Sequence, residues 1–450
     1  MKEGSFLNNQ SSNSAKSVPY LTAAAIPRQY PWLSEEQSCD VCVIGGGVTG
    51  ALCALTLAET GRSVTLITSH EIGFGDTSAL STAVEADRGT TLTELTRTMS
   101  IDAAVKLYDM GLAALDELEN LCRSLDKASG AAFSTGFARR DCLIFTDDPT
   151  ESELLNREFL ARKHNRFDCS FISREQARDS FSFDLCGGIL GKACGATLNP
   201  YHLTHLCLMR AAELGVNIFE HTAATDIQPP PHSEGSVMVT TSTRRIIYAG
   251  KLVIATGSEG LRGILSRKHR RGAALAISHP ITDETPGGWP GQCIIRTFGA
   301  PKQIYSFTPD GRISAECADR RTFADGMSTA LRRLTRRFGQ GTGQSAGQIA
   351  GQIAGQSAVL THLEESIGFL FPAIGSVKTD YAFEREYVTA PDGLPLIGTH
   401  RDYNNCIFAL TGGRGALIEA QWAAQTAADI CEELFPEDMA VFSPMRESIM

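Results

Sequence analysis

Gly45, Gly47 and Gly50 stand in the order Gly-x-Gly-x-x-Gly within "DVCVIGGGVTG", Asp40 to Gly50. At that spacing each glycine has a task if the turn meets a dinucleotide. The first permits a tight turn, the second lets backbone approach a pyrophosphate, and the third lets a helix pack closely on a strand. Exposed N–H groups at the helix start then attract phosphate charge. The spacing alone is weak, but here a strand precedes it, a helix follows and a second strand lies beyond. That second strand, Ser63 to Thr68, ends where an acidic residue would meet ribose hydroxyls; Thr68 stands there, followed by Ser69. A threonine hydroxyl still hydrogen-bonds, though more weakly than a charged acceptor.

Two later stretches repeat the theme. "KLVIATGS" (Lys251 to Ser258) is an apolar strand stopping at Gly257, and "ALTGGRGA" turns at Gly412 to Gly415 into an Ala-rich helix. Other chemistry finds little support. His202 and His205 lie three apart on one helix without a further ligand cluster, so a packed or surface histidine is the expected reading and no metal is expected. No Gly-x-Ser-x-Gly marks a nucleophile. Cys39 and Cys42 have C-x-x-C spacing but fall in a strand, where residues three apart point to opposite faces.

The elements that position these residues follow from patterning. Ser38 to Ile44 reads as a strand, Val48 to Thr60 as a helix stopped by Gly61, and Ser63 to Thr68 as the next strand, a βαβ unit. Helix-rich sequence runs from Leu92 to Leu125. Asn199, Pro200 and Gly215 punctuate a helix between them. Arg267 to about Phe383 has short strands, two helices and between them "GQGTGQSAGQIAGQIAGQSA", a surface insertion with glycine too frequent for a helix.

The chain has 450 residues, 42% hydrophobic and 20% charged, as an ordinary soluble multidomain protein does. A formal net charge of -10 argues against a nucleic-acid partner, and the basic runs at Arg267 to Arg271 and Arg332 to Phe338 read as solvated faces. The thirteen cysteines are dispersed and the polar first 37 residues lack an apolar signal core, so a reducing, cytoplasmic setting is expected. Val41 to Ala58 carries no charge, yet its three consecutive glycines divide it into strand, turn and helix rather than a membrane span.

Taken in order, "DVCVIGGGVTG", "EIGFGDTSALSTAVEAD" (Glu71 to Asp87), "KLVIATGS", "APDGLPLIG" and "ALTGGRGA" resemble the D-amino-acid-oxidase-like family of FAD-dependent amine and amino-acid oxidoreductases, over about Ser38 to Glu433. The resemblance implies an α/β fold: a Rossmann-like FAD-binding domain with a second α+β substrate domain on an antiparallel or mixed sheet. Residues 1–37 would be an N-terminal arm. Residues 38–130, 195–265 and 385–437 would form a discontinuous FAD-binding domain, and 131–194 and 266–384 the substrate domain, with the low-complexity insertion at 339–358.

By the same resemblance, Gly45, Gly47 and Gly50 would hold the FAD pyrophosphate, with Thr68 and Ser69 towards the ribose. Thr77, Ser78, Ser81 and Thr82 would lie along the ribityl chain and flavin edge, and Ala224 would offer backbone to the adenine. Thr256 and Gly257 would line the cofactor, and Gly412, Gly413 and Gly415 would bring a second helix start to the flavin end. Arg385 and Ala79 stand where relatives carry a Cys or His tether, which implies non-covalent FAD. The implied reaction is hydride transfer to flavin from a carbon bearing an amine, in a small amine or amino acid, with oxygen or another molecule as final acceptor. Arg414 is the first candidate to pair with a substrate carboxylate, against a surface or phosphate-facing role; Tyr305 and Arg296 are further candidates. Glu85 and Asp87 would meet an amine or serve in caps and salt bridges. Two rival readings are another FAD oxidoreductase such as a flavin hydroxylase, and a non-catalytic binding protein on the same fold. A second, nicotinamide-binding glycine motif is lacking.

Overall fold

The computed structural model describes residues 20–23, 28–129, 133–232, 234–265, 269–281, 288–299, 302–321, 358–372, 379–434 and 436–449. The basic run at 332–338 and the repeat at 339–358, apart from Ala358, lie outside them.

In chain order the elements are β1 (Gln37–Ile44), α1 (Val48–Glu59), β2 (Val64–Ile67), β3 (Ala83–Glu85), α2 (Leu92–Leu95), α3 (Ile101–Ser129), β4 (Ala138–Thr146), α4 (Ser152–His164), β5 (Cys169–Ile172), α5 (Arg174–Ser180) and β6 (Gly187–Thr197). Then come α6 (Pro200–Glu213), β7 (Asn217–Phe219), β8 (Ala224–Gln228), β9 (Val237–Thr241), β10 (Ile246–Ile254), α7 (Gly257–Ile264), β11 (Arg270–Pro280), β12 (Ile294–Thr297), β13 (Lys302–Phe307) and β14 (Arg312–Arg321). The described chain closes with α8 (Ala358–Leu370), β15 (Thr379–Val388), β16 (Leu396–His400), β17 (Tyr403–Leu410) and α9 (Ala416–Cys431).

The first sheet runs β16-β17-β10-β1-β2-β7, parallel throughout except for the antiparallel edge strand β16. Parallel strands are covered on both faces, which explains their continuous apolar runs "VCVI", "LVI" and "IFAL". On one face α1 packs against α9, with Ala51, Ala54 and Ala58 meeting a helix rich in Ala420, Ala423, Ala424 and Ala427. Small side chains on both surfaces let the two axes approach closely. The antiparallel strands β8 and β9 extend from β10, and Val237, Val239 and Ile247 join the smaller core on the other face.

The second sheet runs β15-β11-β14-β13-β12-β4-β6-β3, with β5 on β6, and is antiparallel except where β12 meets β4. It takes in Ala83–Glu85, only a few residues after the 3-10 segment Asp76–Ala79. One face packs α8 through Leu363 and Ile367 onto Tyr305, Ala315 and Cys317. The opposite face looks towards the first sheet and carries a row across paired strands: Arg296 beside Ile304, Ile304 beside Glu316, Glu316 beside Leu275. The architecture is thus the expected α/β unit with a second mixed sheet.

α6 shows how local signals and burial combine. Asn199 Oδ1 accepts from the N–H groups of Tyr201 and His202, Pro200 occupies the first turn, and Gly215 follows with φ 94°. His202 Nδ1 contacts the Ser134 carbonyl at 2.8 Å, while His205 is 1% exposed with its ring centroid 4.5 Å from that of Tyr201. Burial pushes the His205 imidazole down to about 4. The unfolded chain binds that proton near the ordinary value of 6.5, so falling pH favours unfolding between these two values. The loss amounts to about 3 kcal/mol, absent above the upper value and complete below the lower. Urea unfolding at about pH 7 and about pH 4.5 should show a smaller loss in His205→Leu than in the parent. Equal losses would contradict a neutral buried imidazole.

Candidate active site

A large cleft lies at the carboxyl ends of β1, β10 and β17, where ligands settle in parallel α/β sheets. Its volume of about 620 Å³ falls in the range of small-molecule and cofactor pockets. Gly45, with φ 126°, could not carry a side chain, because a Cβ would run into the Ala255 carbonyl. Gly47 precedes α1 without a side-chain cap, and the Val48 N–H donates to Thr77 Oγ1 at 3.0 Å. The start of α1 therefore presents backbone donors to the cavity, with Thr77 fastening the following loop across it.

Gly45, Gly47, Thr68, Ser69 and Thr77 line this cleft, as do Ala224, Thr256, Gly257, Gly412 and Gly413. The remaining expected contacts lie elsewhere for physical reasons. Gly50 sits beneath the turn, where a Cβ would strike the Gly45 carbonyl, so its smallness serves helix packing. Ser78 donates its hydroxyl to the Gly75 carbonyl, and the Thr82 carbonyl accepts from the Leu198 N–H. Gly415 is buried against Arg88 and Glu419. Ser81 lines a neighbouring, smaller cavity.

That second cavity, of about 10 Å³, is nearly closed. Leu80, Arg385, Gly413 and Ala416 line both cavities, so the two adjoin at the second glycine turn. Two ion pairs face the smaller one: Arg414 with Glu85, and Arg385 with Glu316 at 3.3 Å. Burial draws the Arg414 guanidinium down to about 9, and the Glu85 carboxylate stands directly against it. The Arg385 side chain is 8% exposed, and its Nε is buried without a hydrogen-bond partner.

Behind Glu85 a chain of buried charges continues. Arg296 Nε lies 3.0 Å from Glu85 and its Nη2 2.6 Å from Asp87; Arg162 lies 3.0 Å from Asp87 and 2.6 Å from Glu158. Burial pushes the Asp87 carboxyl up, but Arg296 and Arg162 overcome it and leave it below the ordinary range. Glu158 also accepts from the Leu92 and Thr93 N–H groups, fixing the start of α2.

The candidate substrate contacts are corrected accordingly. Arg414 borders the smaller cavity as expected, but in a buried pair rather than as a free cation. Arg296 is 1% exposed and sealed from both cavities by Glu85, Asp87 and the Gly89 carbonyl. Tyr305 points to the opposite face of its strand from Ile304, where its hydroxyl donates to Ser366 Oγ at 2.9 Å. Glu85 and Asp87 form salt bridges.

Glu316 was not singled out from sequence, and Arg385 only as standing at the place of a tether, not as a substrate contact. The signal was present in part: Arg385 alternates with the apolar Phe383 and Tyr387, which places a charge on an otherwise buried strand face. Arg88 and Glu419, 2.8 Å apart, were also missed; Glu419 accepts from the Gly412 N–H and so shapes the second glycine turn.

Among the described residues no helix is long and apolar enough to cross a membrane. The probable oxidoreductase OrdL of Haemophilus influenzae is 25% identical over 235 residues, 51% of this chain and 51% of its own. The gamma-glutamylputrescine oxidoreductase of Escherichia coli is 26% identical over 247 residues, 53% of each chain. The matched stretch thus spans about half of these curated relatives. Glycine oxidase from Geobacillus kaustophilus has a similar fold, with TM-score 0.70 over 91% of this chain and 99% of its own, at 18% identity. With the model of the FAD dependent oxidoreductase family matched over residues 40–430, the chain belongs to that family.

Proposed function

We propose that this protein oxidises a C–N bond of a small amine or amino acid, with FAD as the hydride acceptor. The observation that carries the reading is the position of Arg385, which lines both the large cleft and the closed cavity beside it. The cleft's donors suit FAD: backbone N–H groups at an uncapped helix start, hydroxyls at Thr68 and Ser69, and a second glycine turn at its far end. Bound there, FAD supplies the ring that takes the hydride.

In this reading Gly45 and Gly47 hold the pyrophosphate, Thr68 and Ser69 the ribose, and Ala224 the adenine through backbone. Thr77, Thr256 and Gly257 flank the middle of the cofactor, and Gly412 and Gly413 approach the flavin end. The Arg385 guanidinium binds an anionic or carbonyl group of the substrate, and the Glu316 carboxylate beside it accepts from the amine nitrogen. Arg414, held by Glu85, borders the reacting space and keeps its side wall fixed. Gamma-glutamylputrescine oxidoreductase and glycine oxidase, by their names, act on an amine and an amino acid, which supports the substrate class.

The purified protein should be yellow, and a panel of amines and amino acids added without oxygen should include members that bleach it. A colourless protein that refuses added FAD would overturn the reading, as would bleaching by 2-hydroxy acids alone. Among the described residues no cysteine lines the large cleft, and in this reading FAD is held without a covalent bond; acid precipitation should release the colour, whereas a yellow pellet would refute this. Replacing the pair together, Arg385→Met with Glu316→Gln, avoids stranding one buried charge. It should lower kcat/KM for carboxylate-bearing substrates about 10- to 100-fold, the range of a lost charged hydrogen bond, and lower it less for amines without a carboxylate, which lose only the Glu316 contact. Equal loss for both substrate types would remove Arg385 from substrate recognition.

A further inference from the structure

We propose that Cys142 and Cys194 form a redox-active dithiol that peroxide closes to an intramolecular disulfide. Cys142 on β4 lies opposite Gly191 on β6, and the strands pair again at Arg140 and Gly195. Between these points β6 has residues in excess, so Lys192, Ala193 and Cys194 bulge opposite Asp141. Asp141 pins that bulge, accepting from the Ala193 N–H at 2.8 Å and from Lys192 Nζ at 2.7 Å. Ala193 adopts φ 47°, a left-handed conformation rare outside glycine.

The bulge folds Cys194 back over the partner of Cys142. A Cβ at Gly191 would lie 2.7 Å from Cys194 Sγ, and one at Gly195 would overlap Cys142 Sγ. Gly195 therefore leaves room for the Cys142 sulfur of the other strand, and Gly191 for the Cys194 sulfur folded back from its own bulge. Residues directly opposed in an antiparallel pair hold their Cβ positions about 5 Å apart on one face. Cys194 Sγ thus sits on the face of Gly191 that Cys142 also occupies, and Cys194 packs against the small core that holds Cys142.

The two thiols differ in the way an attacking and a resolving thiol must. Its hydrogen bond to Cys194, with burial, pushes Cys142 well above the usual thiol range. The hydrogen bond from Cys142, with the nearby Arg162 charge, pulls Cys194 down. Cys42, Cys53, Cys122 and Cys207 are instead pushed up by burial. Cys194 is half-buried and lines a separate cavity of about 100 Å³, shared with Arg162, Asp87 and Lys192 and large enough for hydrogen peroxide.

In the reaction the Cys194 thiolate attacks one peroxide oxygen, the O–O bond breaks and hydroxide leaves, giving a sulfenic acid at Cys194. The Cys142 sulfur then attacks the Cys194 sulfur, an S–S bond forms, and the sulfenic oxygen leaves as water with the Cys142 proton. Two thiols and one peroxide become one disulfide and two waters, the peroxide being reduced and both sulfurs oxidised. The Cys194 carbonyl accepts from the Ala86 N–H, and Gly195 pairs with Glu85, so the bond would form beside the strand carrying Glu85.

The full-length flavoprotein, treated with hydrogen peroxide, blocked with N-ethylmaleimide and digested without reductant, should yield one peptide pair joined through Cys142 and Cys194. Two thiols should disappear and return with dithiothreitol. In Cys142→Ser, dimedone should label Cys194 and no joined pair should form. The proposal falls if both cysteines of the parent are still alkylated after peroxide, or if Cys194 is oxidised in the parent without the joined peptide. If Cys142→Ser does not fold, the parent's thiol count and peptide map decide the question by themselves.

Discussion

The active-site wall depends on the buried chain of alternating charges from Glu158 through Arg162, Asp87, Arg296 and Glu85 to Arg414. Three carboxylates and three guanidiniums meet there with little solvent. Each ion costs several kcal/mol to bury, and attraction offsets that cost only when every partner is in place. The chain therefore contributes orientation more than net stability: removing one member leaves a buried charge exposed to low dielectric, at a cost of about 3–5 kcal/mol. Because its members come from α4, the loop after β3, β12 and the second glycine turn, satisfying them all fixes where these elements sit.

The loop after β3 is held by the same logic. Gly89 has φ 76°, and its carbonyl accepts from Arg296 Nη1 and Lys302 Nζ, both at 2.6 Å. Thr91 and Glu94 form a capping box, and Lys302 lies 3.0 Å from Glu94. Arg88, on the preceding residue, reaches the other way to Glu419 and the Gly393 carbonyl. One loop thus fastens the second sheet on one side and the helix after the second glycine turn on the other. Position at the junction of two sheets becomes a matter of hydrogen-bond geometry rather than of loose apolar contact.

This division explains what could be read from sequence. The glycine turn, α1 and its flanking strands rest on neighbours within a few positions, so spacing and patterning reveal them. The same holds for Asn199 and Pro200 at the start of α6. The charge chain is different: Arg414 and Glu85 lie 329 residues apart, and Arg296 and Asp87 lie 209 apart. Only Glu158 and Arg162 are local, four apart on one helix. Arg296 shares the strand face that carries Ile304 and Glu316, and what separates it from both cavities is a loop more than 200 residues earlier. Tyr305 failed for a smaller reason. It is one residue from Ile304, and a period of two sends neighbours to opposite faces.

Charge balance in the closed cavity constrains what can enter it. Arg385 faces Glu316, Arg414 faces Glu85 and Arg88 faces Glu419, so the lining offers cations already neutralised by carboxylates. A lone anion that took Arg385 would draw it away from Glu316 and bring a second negative charge beside that carboxylate. A molecule bearing both an acceptor and an amine donor can exchange with the pair, taking Arg385 at one end and Glu316 at the other, and leave the balance unchanged. The unpartnered Nε of Arg385 gives that exchange a starting point, since it lacks a bond that a substrate oxygen would supply. On the proposed reading, this charge balance suits a small zwitterion or amino amide better than a simple carboxylate, by electrostatics that the glycine motifs alone do not express.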